Sequence, residues 1–155
     1  GTINTSDTHF APSLWCDKAD KLHLAYGCHI SQMRYKHSHT LKPASIADWS
    51  TEDSPSGASL ATYPIFANDN ENRLYLFFRG NAIRYHSYIV STDGGDSWSA
   101  ATTVWDAQPG SFSNPSAYCG GVIIWDNVIH YCVTCLDGYG GANQAKAMGY
   151  IRGAF

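Results

Sequence analysis

Three segments of this chain repeat one another, and that recurrence limits the fold more than any other feature. Leu22, Leu74 and Ile129 each open the second strand of a hairpin, 52 and 55 residues apart. The hairpins are PSLWC with turn DKADK and LHLAYG, YPIFA with turn NDNEN and RLYLFF, and GVIIW with turn DN and VIHYCVTC. A further alternating strand follows each one: MRYKHS, IRYHSYIVS and AMGYIRG, which aligns Tyr35, Tyr85 and Tyr150 within M-R-Y, I-R-Y and M-G-Y. Period-two alternation places one face of every strand in a core, and helical periodicity is nearly absent. The turns use residues that tolerate φ > 0 or bond their own backbone. A repeat of roughly 50 residues with about four strands per unit is the pattern of propeller blades. The expectation is therefore an all-β chain, a partial β-propeller of about three four-stranded antiparallel blades. It is read as one propeller domain over residues 1–155, with blades at roughly 5–55, 56–110 and 111–155. Three blades cannot close a ring, since propellers carry about 4–8. A self-contained β-sandwich is the competing arrangement on strand spacing alone.

The stretch Ser91-Thr92-Asp93-Gly94-Gly95-Asp96-Ser97-Trp98 decides between them. It fits the Asp-box pattern S-x-D-x-G-x-[ST]-W at every position. The Asp side chain should bond turn backbone, the glycines take conformations closed to other residues, and the Trp packs beneath. The motif should join the third and fourth strands of a blade, as a structural element with no catalytic part. A net charge of −3 offers no basic stripe for a nucleic-acid backbone. No apolar run approaches the roughly 20 residues that span a bilayer. The chain opens without Met or a signal-peptide pattern and stops within an alternating run, as a piece of a longer protein would. Its five cysteines, Cys16, Cys28, Cys119, Cys132 and Cys135, are an odd number, so at least one lacks a partner in this sequence. Cys132 and Cys135 form C-x-x-C within a strand-like run, which favours buried thiols over a zinc or redox site.

The same alignment selects candidate functional residues. His9 precedes Leu22 by 13 residues, Tyr63 precedes Leu74 by 11, and Tyr118 precedes Ile129 by 11. All three stand where a blade's innermost strand begins, at the mouth of the central channel. His29 and Arg79 follow the second strands and should reach the same end. Singly, each has an ordinary structural explanation as a packed ring or a solvated charge. Together, two imidazoles, two phenols and a guanidinium at one concave mouth make a candidate active site. His23, Trp15 and Tyr75 belong to blade packing, and His37, His39 and His86 are placed along the cleft. The H-S-H of residues 37–39 is too short and isolated to hold a metal.

The segments SDTHFAPSLW, LHLAYGCHI, ATYPIF and RLYLFFRGN resemble the BNR-4 group of seven-bladed propeller polysaccharide lyases, of which ulvan lyases are the best-known members. In that group a D-x-H segment opens a blade, a G-H-H-like segment follows, and T-Y-P precedes a strand ending in arginine. This chain has Asp7-Thr8-His9, Gly27-Cys28-His29, Thr62-Tyr63-Pro64 and Arg79 in that order. It departs at Phe10, where Asn is common, and at Cys28, which replaces a His. The resemblance implies β-elimination at a uronic acid. His9 would be the base and Tyr63 the acid, with Tyr63 able to serve as both. Arg79 and His29 would neutralise the carboxylate, and Tyr118 would bind sugar. It implies no cofactor and no metal, and a uronate-containing polysaccharide as partner, with no nucleic acid and no membrane. It further implies a secreted, extracellular or periplasmic protein, monomeric when complete. Two alternatives stay open: a rhamnosidase- or sialidase-like glycoside hydrolase, and a non-catalytic glycan-binding propeller.

Overall fold

A computed structural model describes residues 9–80, 85–106, 115–137 and 146–154. Its strands form three antiparallel sheets, and the chain is an all-β partial propeller. The first sheet holds β1 (Ser13–Cys16), β2 (Leu22–Tyr26) and β4 (Arg34–His37). The second runs in the order β3 (His29–Ser31), β5 (Ala61–Asn68), β6 (Leu74–Arg79), β7 (Tyr85–Ser91) and β8 (Thr102–Asp106). The third holds β11 (Lys146–Ala154), β10 (Val128–Asp137) and β9 (Pro115–Trp125). Four strands in every sheet is therefore not what forms among the described residues. In the first sheet, isolated bridges (Tyr35 with Asp53, Ser38 with Trp49) stand where an outer strand would run. Residues 38–60 are rich in Ser, Ala, Pro and Asp and make two 3-10 turns, a composition that does not sustain a ladder. The second sheet gains a fifth strand because β3 leaves the first sheet and pairs with β5.

The second sheet lies between the other two, so LYLFFR of β6 is buried along its whole length. Alternation divides it. Leu74, Leu76 and Phe78 pack with Ile89 against Ala25, Met33 and Tyr35 of the first-sheet side. Tyr75 and Phe77 pack with Tyr88 against Ala117, Ile129, Tyr131 and Val133 of the third sheet. Side chains of successive residues point to opposite faces, so a strand covered on both sides must be apolar throughout. Each large side chain so buried contributes roughly 1.5–3 kcal/mol relative to exposure.

The first two hairpins share one turn. The Oδ1 of Asp17 accepts from the backbone N–H groups of Ala19 and Lys21, both at 2.8 Å. The Oδ1 of Asp69 accepts from Glu71 and Arg73 at 3.0 and 2.9 Å. Asp20 and Asn72 take matching left-handed conformations, each with φ 60°. The third hairpin turns on Asp126 and Asn127, with φ 52° and 56°, the two-residue geometry that suits strand twist. Register corrects one alignment. Tyr35 pairs with Ala25 and Tyr150 with Cys132, each the fourth residue of the set opened by Leu22 or Ile129. The fourth residue from Leu74 is Phe77, and its partner is Tyr88, not Tyr85. The likeness of I-R-Y to M-R-Y misled because it sits three residues early; Arg84 lies outside the described residues.

The Asp-box occupies the β7–β8 connection, as its pattern predicts. Ser91 Oγ receives the Gly95 N–H and donates to Asp93 Oδ1, both at 2.8 Å. Asp93 in turn accepts the Ser97 hydroxyl at 2.5 Å and the Ser97 N–H at 2.9 Å. Chiefly the Ser97 hydroxyl holds the Asp93 carboxyl down at about 2. The turn is also a seam. A Cβ on Gly95 would lie 1.8 Å from the Tyr35 hydroxyl. Trp98 presses edge-on to Tyr35 at 5.1 Å, and Asp96 Oδ1 lies 3.4 Å from His37 Nε2. The second sheet's motif thus seats on the first sheet.

All five cysteines are free. Cys132 and Cys135 lie three apart on β10, so their side chains take opposite faces, Cys132 exposed and Cys135 buried. The expectation of buried thiols holds for Cys135 and fails for Cys132, which sits on the uncovered face of the third sheet.

Candidate functional site

The five residues selected from the sequence meet at one end of the sheets. The His9 ring stacks on His29 at 4.3 Å and 15°. His9 lies 5.8 Å from the Tyr63 ring, which lies 5.8 Å from Tyr118. The Arg79 guanidinium stands over both phenols, 4.8 Å from Tyr63 and 5.1 Å from Tyr118. Phe10, one departure from the resembled pattern, sets its ring edge on His29 at 5.9 Å. Asp7 and Thr8 of the D-T-H segment lie outside the described residues. Beside this group opens a cleft of about 350 Å3, lined by Ala11, Pro12, Tyr63, Pro64, Tyr118 and Cys119.

Two unusual backbone conformations aim these side chains. After β2, Gly27 turns the chain with φ +68°, which glycine adopts without steric cost. Cys28 then drops into the core between the first two sheets, where burial pushes its thiol up to about 11. That buried position is why a small apolar thiol is tolerated there. His29 pairs with Thr62 and Ser31 with Ala61, while Ile30 takes φ 49° and donates its N–H to Thr62 Oγ1 at 2.9 Å. Tyr63 has φ 58° and lies in a break of register between Thr62 and Ile65. Tyr63 and Pro64 together face Phe78, a bulge that suits a residue without an N–H. A left-handed conformation costs a non-glycine residue about 1–2 kcal/mol, more awkwardly for a β-branched one. Strain of this kind gathers at sites where geometry is over-determined.

Arg79 ends β6 on the face that carries Tyr75 and Phe77, and only 3% of it is exposed. Among the described residues no carboxylate forms an ion pair with it, and its Nε has no hydrogen-bond partner. A buried cation held by two ring faces is stabilised in part by their quadrupoles, and among the described residues it has no counter-charge. An anion arriving between Tyr63, Tyr118 and the imidazoles would supply it.

The remaining histidines behave differently. His23 is packing, as expected: it is wholly buried, with Nδ1 2.7 Å from the Tyr35 hydroxyl and Nε2 3.3 Å from Asp17 Oδ2. His37 and His39 line a separate hollow with Tyr35, Asp53 and Asp96 beside the Asp-box, so they do not border the cleft. His86 does not border it either; it is wholly buried behind Arg79, against the Tyr131 hydroxyl. Burial, and to a lesser degree the charge of Arg79, brings its imidazole down to about 4. No group of three or more His, Cys, Asp or Glu among the described residues is arranged to hold a metal ion. Sequence reasoning missed the two left-handed residues, since neither is Gly or Asn, and the position of His86. The one available signal for His86 was its place near the start of the strand that follows Arg79.

Known proteins share this arrangement of strands. An ulvan lyase from Nonlabens ulvanivorans is 32% identical over 60% of this chain, which spans 22% of that relative's length. A polysaccharide lyase described as a PL25 ulvan lyase, solved bound to -[GlcA(1-4)Rha3S]-, superposes with a TM-score of 0.66 at 18% identity. That match covers 96% of this chain and 38% of the lyase. The Hadza microbial sialidase Hz136 superposes at 0.62 with 11% identity, covering 94% of this chain and 35% of the sialidase. The chain therefore spans about a fifth to two-fifths of these proteins, and the two structural matches speak to the fold alone. The model of the BNR repeat-containing family matches residues 2–153, and the chain belongs to that family.

Proposed function

We propose that this chain carries the catalytic face of a polysaccharide lyase that cleaves a uronate-containing polymer by β-elimination. The observation that carries the reading is Arg79, a buried cation without a carboxylate partner among the described residues, set between two phenols beside a stacked pair of imidazoles. Arg79 and His29 bind the uronate carboxylate, and neutralising it lets charge spread from C5 into that group. His9, as a neutral imidazole, takes the C5 proton. The C4–O4 bond breaks as the C4=C5 double bond forms, and Tyr63 gives its hydroxyl proton to the departing O4. The phenolate oxygen left behind is stabilised by the guanidinium over the same ring. Tyr118 forms the far wall and packs on sugar. The ulvan lyase relative supports the substrate class. A polymer of this kind is met outside the cytoplasm, so the complete protein is expected to be secreted or periplasmic. The cluster holds no carboxylate pair among the described residues, which leaves two-carboxylate hydrolysis without its machinery.

The test is to incubate the chain, and the longest natural protein that contains it, with ulvan or another glucuronate polymer. Unsaturated uronate absorbance should appear. Tyr63→Phe and His9→Ala should each lower kcat by roughly 10²–10⁴. New reducing ends without that absorbance would mark a hydrolase, and binding without either signal a glycan-binding propeller. Full activity in both variants would remove the assigned roles.

A further inference from the structure

His86 stands directly across the β6–β7 ladder from Arg79. Opposed residues of neighbouring strands share a face, and both side chains point toward the third sheet with Tyr88 and Phe77. Neither is accessible: His86 is 0% and Arg79 3% exposed. The His86 Nδ1 meets the Tyr131 hydroxyl of β10. β10 pairs with β9, where Thr134 stands opposite Tyr118, one wall of the slot that holds the guanidinium. The opposite wall, Tyr63, belongs to β5, whose Thr62 pairs with Arg79 itself. His86, opposite Arg79 in the β6–β7 ladder, therefore ties that ladder to β10, the neighbour of the strand bearing Tyr118. Remaining neutral also matters there, because a second buried cation would repel Arg79.

From these contacts we infer that His86 is a positioning residue for Arg79: by locking the second sheet to the third through Tyr131, it fixes the width of the phenol slot in which the guanidinium lies. The inference deepens the reading of Arg79 as the carboxylate-binding group and rests on it. A displacement of about 1 Å at a binding group costs on the order of 10²-fold in rate, so small losses of register here should be visible.

The test reads the slot without turnover. The Arg79 Nε–H resonance, assigned by its loss in Arg79→Lys, is shifted by the ring currents of Tyr63 and Tyr118. His86→Phe and Tyr131→Phe should move it toward the position of a free arginine, and lower kcat/KM at least tenfold on a glucuronate polymer. His86→Asn, which keeps a polar group where Nδ1 meets Tyr131, should restore most of both. Ile129→Ala, in the same sheet interface but at the far end of β10 from Tyr118, should lower the Tm while leaving the resonance and kcat/KM in place. If His86→Phe does not fold, Tyr131→Phe and His86→Asn carry the comparison. An unmoved resonance in Tyr131→Phe, or an equal movement in Ile129→Ala, would overturn the inference. Movement as expected in a protein that yields no unsaturated product would keep the positioning role and overturn the lyase reading instead.

Discussion

On the proposed reading, Arg79 sets function against stability at a single residue. A buried cation with no counter-ion among the described residues costs several kcal/mol of desolvation, of which two ring faces return only part. Arg79→Met should therefore raise the unfolding free energy by roughly 1–2 kcal/mol in denaturant titration while abolishing the proposed lyase activity. His86 supplies a second residue-scale prediction. Its folded-state imidazole titrates near 4, against about 6.5 when unfolded. Between those values the unfolded chain takes a proton that the folded chain refuses, so stability falls as pH drops through that window. The loss from His86 is on the order of 3 kcal/mol, and buried His23 and His37, also lowered by desolvation, act in the same direction. Tm measured from pH 7 to pH 4 should slope less in His86→Asn. Asp93 acts lower still: its contribution is present above about 3.8 and is lost as pH falls toward 2. The convergence of the five candidate residues was legible in the sequence because each marks the start or end of a repeating strand. His86 was not, since a histidine within an alternating strand looks like any packed ring. Nothing in the letters Tyr63 and Ile30 announces a left-handed backbone.

Elements were more legible than their partners. The hairpins, the Asp-Asn turn and the Asp-box all formed where local chemistry required them, because each depends on residues close in sequence. β3 was not legible. It is three residues long and crosses to another sheet, a choice decided by Thr62 and by Gly27, not by its own pattern. Tyr85 was misaligned for the converse reason, that similarity of three letters outweighed the pairing of the strand. The Asp-box seam yields a coupled prediction. Gly95→Ala places a methyl against the Tyr35 hydroxyl at a backbone with φ 95°, and should destabilise the protein by more than about 2 kcal/mol. Tyr35→Phe removes the oxygen in the way, so the double variant should lose less than the sum of the two, measured as a cycle in urea.

At the scale of the molecule, the two outer sheets differ in what covers them. His23 and Tyr35 form a hydrogen-bonded pair roofed by the second sheet and its Asp-box turn. His130 and Tyr150, in matching register on the third sheet, form the same pair at 2.6 Å, and there Tyr150 is 60% exposed. Ile123, Trp125 and Met148 lie exposed on that sheet with it. Exposed apolar surface of this kind favours association. The isolated chain should therefore self-associate in sedimentation velocity, and Trp125→Lys with Met148→Lys should shift it toward monomer without lowering the Tm by more than a few degrees. The seam between Gly95 and Tyr35 also has a practical meaning for anyone wishing to transplant this chemistry. A blade is the unit of repetition but not the unit of portability. Residues 61–106 lifted into another ring would bring Tyr63 and Arg79. They would leave both stacked imidazoles and Tyr118 behind, and would arrive with a turn shaped for a tyrosine that the new host does not provide. Any piece meant to carry the proposed chemistry would have to include at least the span from His9 to Tyr118.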